Sequence, residues 1–140
     1  MRQGIETQSK STLRSALARR PFDHALTAFI EDVEARGLSE KILLVCCGEM
    51  GRTPKLNRGG GRDHWAKLAP LMLYGGGIRG GHVIGQSTKD GGEPATENLT
   101  PKHLISSILH TVFDVGQLRL MPRLAHIARL AEISPIPILA

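Results

Sequence analysis

The sequence predicts an α/β fold, and two observations carry that prediction. Two stretches place apolar residues at helical spacing, residues 21–36 and residues 101–112. Two shorter stretches, Ile42 to Cys47 and Ala69 to Tyr74, are apolar runs without alternation, the pattern of strands covered on both faces. Helix followed by buried strand across a tight link is half of an α/β unit, so the expectation is a small parallel or mixed sheet with helices packed on it.

Each element has a local reason. In "PFDHALTAFIEDVEARG", Phe22, Leu26, Phe29, Ile30 and Val33 fall on one face, Pro21 stands in the first turn, and Gly37 sits where a C-terminal cap belongs. The link "LSEK" leads directly into the first strand. The second strand is stopped by Gly75, Gly76 and Gly77, and "GGHVIG" after it is expected as a third, short edge strand. Residues 86–99 are a polar loop without periodicity. In "TPKHLISSILHTVFDVG", Thr100 is the expected N-cap and Pro101 the first helical residue, with Leu104, Ile105, Ile108, Leu109 and Val112 along one face. A shorter helix is expected near Pro122 to Ala131, and the prolines of "SPIPILA" make the end extended. Residues 1–20 are expected to be a poorly ordered lead-in, and 21–140 one α/β domain.

Composition narrows the function. The chain has 140 residues, 41% of them hydrophobic, enough for one core, and no run approaches the roughly 20 apolar residues of a membrane span. No stretch has the apolar centre of a secretory signal, and the compartment is not legible. Lys and Arg outnumber Asp and Glu by 18 to 13, for a net charge of +5, which suits an anionic ligand. The basic residues are scattered and only 4% of residues are aromatic, so neither nucleic acid nor membrane is an expected partner. Cys46 and Cys47 are adjacent on a strand, point to opposite faces, and read as small buried hydrophobes.

The chemistry is concentrated in "VCCGEMGRTPKLNRGGGRDHW", residues 45–65. Glu49 follows the last strand position, and Asp63 and His64 return toward it because the next strand starts beside the first. Two carboxylates and an imidazole form the mixed oxygen and nitrogen set that suits a divalent ion such as zinc, manganese or, through oxygen alone, calcium. Arg52 and Arg62 flank the group as forks for anionic oxygens. The alternative is a hydrogen-bonded turn at Asp63 and His64 with Glu49 paired to an arginine. Thr53 is the only hydroxyl in the loop and has no evident base, so no catalytic nucleophile is assigned. Asp90 and Glu93 in "STKDGGE" depart from calcium-loop spacing and read as a solvated loop.

Three blocks in order, "LLVCCGEMGRTPKLNRGGGRDHW", "LMLYGGGIRGGHVIGQSTKDGGE" and "LTPKHLISSILHTV", resemble the C-terminal part of the domain of unknown function 1501 family, a relative of the alkaline phosphatase and sulfatase superfamily. The resemblance implies a partial alkaline-phosphatase-like sandwich with metal ligands at strand ends. It also implies a divalent ion and a phosphate or sulfate ester as ligand. Gly48, Glu49, Met50 and Gly51 stand where the superfamily has Ser-Asp-His-Gly: Glu49 replaces the Asp as an oxygen donor, whereas Met50 does not replace the His. His64, beside Asp63, resembles the superfamily's later His. The superfamily's first metal-binding Asp and its nucleophile belong to an N-terminal half that has no counterpart here. The expectation is therefore a truncated C-terminal half, inactive alone, that self-associates or needs a separate N-terminal half. A non-catalytic interaction module is the competing reading.

Overall fold

A computed structural model of the chain describes residues 20–137. The lead-in expected over residues 1–20 lies, except for residue 20, outside the described residues. Helix α1 covers residues 20–35. It ends as a Schellman motif: Gly37 has φ +62°, its N–H donates to Glu34 O at 3.0 Å, and the Leu38 N–H donates to Val33 O at 2.9 Å. Of the expected apolar face Val33 is buried and Leu26 and Ile30 are half-buried, but Phe22 and Phe29 are exposed. The turn after α1 holds the sheet directly, because Ser39 O accepts from the Gly76 N–H at 2.7 Å.

Strands β1 (Leu43–Cys47), β2 (Gly51–Arg52), β3 (His64–Trp65) and β4 (Leu71–Gly75) form two separate two-stranded sheets. β1 pairs with β4 from Leu43↔Gly75 to Cys47↔Leu71, and β2 pairs with β3 through Gly51↔Trp65 and Arg52↔His64. The two apolar runs are neighbours as expected, but the pairing is antiparallel, not parallel or mixed. The cause lies between them. Residues 48–70 are long enough for a parallel crossover, but they fold into the β2–β3 hairpin, and the chain emerges beside the end of β1 that it left.

Three further expectations fail here. "GGHVIG" forms no strand: Gly81 and Gly85 both have φ +83°, which breaks the extended run at two points, and Val83 is 94% exposed. β1 is half-buried rather than covered on both faces, since β4 is its one neighbour among the described residues. Cys46 is half-buried and Cys47 is exposed, so neither is a core residue.

The core lies at the other end. Helix α2 (Pro101–Val112) starts from Thr100 with Pro101 in its first turn, and the His103 ring accepts from the Thr100 N–H at 2.9 Å. Its buried side keeps part of the face hydropathy marks, with Leu109 buried and Leu104 and Ile108 half-buried, and adds two serines that hydropathy does not mark. Ser106, Ser107 and Leu109 are buried, while Ile105 and Val112 are exposed. The tail crosses the helix at the serines: Ser106 Oγ donates to Ile133 O at 2.5 Å, and Ser107 Oγ accepts from the Ile136 N–H at 2.8 Å while donating to His103 O. Small side chains admit the tail backbone, and their hydroxyls satisfy it. Helix α3 (Val115–Arg119), capped by Asp114, is an addition to the expected elements, and a 3-10 turn (Pro122–Leu124) leads into α4 (Ala125–Leu130). Leu109, Val115 and Ala131 cluster there, with Ile127 against them. No helix of the described residues is long and apolar enough to cross a membrane.

Candidate functional site

The β2–β3 hairpin carries the site because its base is fixed by a glycine that tolerates no side chain. A Cβ at Gly51 would lie 1.6 Å from Leu68 O, so the two strands and the following chain approach only through that residue. Its loop is organised by Asn57, whose Oδ1 accepts from the Gly59 and Gly61 N–H groups, both at 3.0 Å. Asn57 Nδ2 donates to Asp63 Oδ1 at 2.8 Å. Arg62 lies back across the loop and donates to Thr53 O at 2.7 Å and Pro54 O at 2.5 Å. Thr53 Oγ1 donates to Lys55 O and accepts from the Asp63 N–H. The loop is thus ordered by its own polar groups rather than by a core.

This wiring sorts the residues singled out by sequence. Arg52 and His64 are paired across the hairpin, and both approach Glu49: His64 Nε2 lies 3.6 Å from Glu49 Oε1, and Arg52 Nη2 lies 4.0 Å from the same oxygen. All three side chains are half or more exposed. Asp63 is engaged by Asn57 instead, and its neighbour relation to His64 along an extended chain sets the two on opposite sides. Arg62 braces the loop carbonyls, so Arg52 is the fork that stays with Glu49 and His64.

A metal can be tested against this geometry. Two ligands bound to one tetrahedral zinc at ~2.0–2.1 Å stand roughly 3.3 Å apart, close to the 3.6 Å between Glu49 and His64. The pair therefore has the spacing of two adjacent ligands. Among the described residues, however, no group of three or more His, Cys, Asp and Glu side chains is placed to hold an ion. Two donors do not make a metal centre.

Sequence reasoning missed the partners that lock β3. Trp65 Nε1 donates to Gly92 O at 2.7 Å, Lys67 pairs with Glu93, and the Lys67 ammonium stands 5.4 Å from the centre of the Trp65 ring. The residue 86–96 loop is correspondingly well built. Asp90 Oδ1 accepts from Thr88 Oγ1 at 2.6 Å and from the Gly92 N–H, and these bonds hold its carboxyl below the ordinary range. Asp90 is thus a turn residue. For the hairpin loop the available signal was Asn57 two residues ahead of Gly59, Gly60 and Gly61, which marks a side-chain-closed turn.

Residues 6–125 match the family described as "Protein of unknown function (DUF1501)". No curated protein and no solved structure matches the chain.

Proposed function

The chain belongs to the DUF1501 family, and on that premise we propose that it contributes the C-terminal half of an alkaline-phosphatase-like or sulfatase-like hydrolase. In this reading Glu49 and His64 offer two donors to a divalent ion, zinc or manganese, and Arg52 pairs with the anionic oxygens of a phosphate or sulfate ester. Asp63 and Arg62 hold the hairpin in shape. The carrying observation is the convergence of Glu49, Arg52 and His64 on one hairpin at the end of β1. The same geometry supports inactivity of the chain alone: among the described residues it offers two donors, and the hydroxyl of the loop, Thr53, is committed within it.

Calorimetry with zinc or manganese on wild type, Glu49→Ala and His64→Ala tests the proposal, together with turnover of an aryl phosphate and an aryl sulfate. The expected result is weak ion binding that either substitution removes, with no turnover. Tight binding with turnover abolished in His64→Ala would show a complete enzyme. Ion binding indifferent to both substitutions would remove the half-site.

The open sheet supports the competing reading of an interaction module. Among the described residues β1 and β4 each have one strand neighbour, and Phe22, Leu71 and Val83 are exposed. Unpaired strand edges beside apolar side chains recruit another polypeptide, a second copy or a separate N-terminal half. Light scattering is expected to return a species heavier than the 15.2 kDa chain. A clean monomer would count against this partner requirement.

A further inference from the structure

A cleft of about 670 Å³ runs beside β4, between it and the returning segment of residues 78–87. Its volume lies in the range of small-molecule sites, ~300–1,000 Å³. Leu68, Leu73, Ile84 and Ile136 are among the apolar residues that line it. Arg52, Lys67 and Arg79 bring three cations to the same walls, against the carboxylate of Glu97. The cations differ in availability. Lys67 is paired with Glu93, whereas Arg79 has no ion pair among the described residues and Arg52 has only the 4.0 Å approach of Glu49. Arg52 therefore belongs both to the hairpin site and to the cleft wall.

We infer that this cleft binds an amphipathic monoester anion, with its phosphate or sulfate group at Arg52 and its apolar body along Leu73 and Ile84. The inference deepens the ester reading proposed above and rests on it for the identity of the anion. An apolar body is called for because Leu68, Leu73, Ile84 and Ile136 line the same cleft as Arg52, and water is a poor occupant of apolar walls. A bare inorganic anion would leave those side chains uncovered and forgo their contribution.

The test uses the full chain without added metal, so that its outcome is separate from the ion-binding experiment. The probes are naphthyl phosphate, naphthyl sulfate, inorganic phosphate and naphthol, titrated by calorimetry. At least one naphthyl ester is expected to bind about tenfold or more tightly than inorganic phosphate, the gain from burying part of the ring system. It should also bind more tightly than naphthol. Arg52→Ala should weaken ester and inorganic phosphate alike, and Ile84→Asp should weaken the ester alone. Both residues are exposed and each variant's circular dichroism should match wild type. Binding of both esters, or of one, distinguishes the broad anion class from the narrow one, and either supports the site. Equal affinity for ester and inorganic phosphate, equal affinity for naphthol, or an ester affinity unmoved by both substitutions would overturn it.

Discussion

The helical end and the sheet end of this chain are held together in different ways. Of the seven buried hydrophobic residues among those described, Leu109, Val115, Leu118, Ala128, Ala131 and Ile136 belong to the helical end, and only Val33 lies elsewhere. The sheet end buries glycines instead: Gly51, Gly75 and Gly92 are its buried residues, while β1 and β4 remain half-buried. One end is closed by packing and the other by close backbone approach and polar loops. The contrast shows why the candidate site sits where it does. The carboxylate, imidazole and guanidinium of Glu49, His64 and Arg52 need solvent or a ligand, and the open end leaves them both.

Substitutions at the two ends break this contrast by different amounts. Gly51→Val should have the largest effect, a loss of about 3 kcal/mol or more, because its Cβ would meet Leu68 O at 1.6 Å and the hairpin must separate. Urea denaturation measures it, and an unchanged midpoint would refute the close approach as the hairpin's anchor. Ser107→Ala at the helical end should cost about 1–3 kcal/mol, since the Ile136 N–H loses its acceptor in a buried place. Trp65→Phe should cost about 1 kcal/mol by removing the bond to Gly92 O. Amide exchange should then rise across residues 86–96 and stay unchanged in α2. A rise in both would mean that the two ends are not separately closed.

The smallest effect is a titration. The Tyr74 hydroxyl donates to Glu34 Oε1 at 2.5 Å, and the bond to this carboxylate pushes the phenol from its ordinary 10.0 up to about 12. A folded value above the unfolded one means that the associated stability is complete below pH 10.0 and is lost as pH rises toward about 12. Ultraviolet absorbance should therefore show the phenol ionising late in wild type and nearer its ordinary value in Glu34→Gln. Asp90 runs the other way: its lowered carboxyl stabilises the 86–96 loop above the ordinary carboxylate range and stops doing so in acid.

Much of the scaffold was legible in the sequence because it obeys local rules. The Gly37 cap, the Thr100–Pro101 helix start and the two strands of five residues each follow from backbone preferences and apolar runs. Strand direction was not legible, because residues 48–70 have the length for either route and only the hairpin within them decides. Part of the buried face of α2 was hidden for a related reason: hydropathy marks Leu104, Ile108 and Leu109 correctly but also favours Ile105 and Val112, whereas the tail selects Ser106 and Ser107 for their size and hydroxyls. At the site, spacing brought Glu49 and His64 together but could not separate Asp63 from them or Arg52 from Arg62. Those distinctions depend on Asn57 and on loop carbonyls, which lie several residues away along a chain without periodicity.

Native-state hydrogen exchange followed by NMR tests the division between the two ends most directly. Helix α2 and the residues it buries should exchange slowest, near the global limit. The β2–β3 hairpin and the outer-edge amides of β1 and β4 should open at distinctly lower free energy. Uniform protection across both ends, or slower exchange in the β1–β4 ribbon than in α2, would contradict a molecule with one closed end and one open end that carries the site.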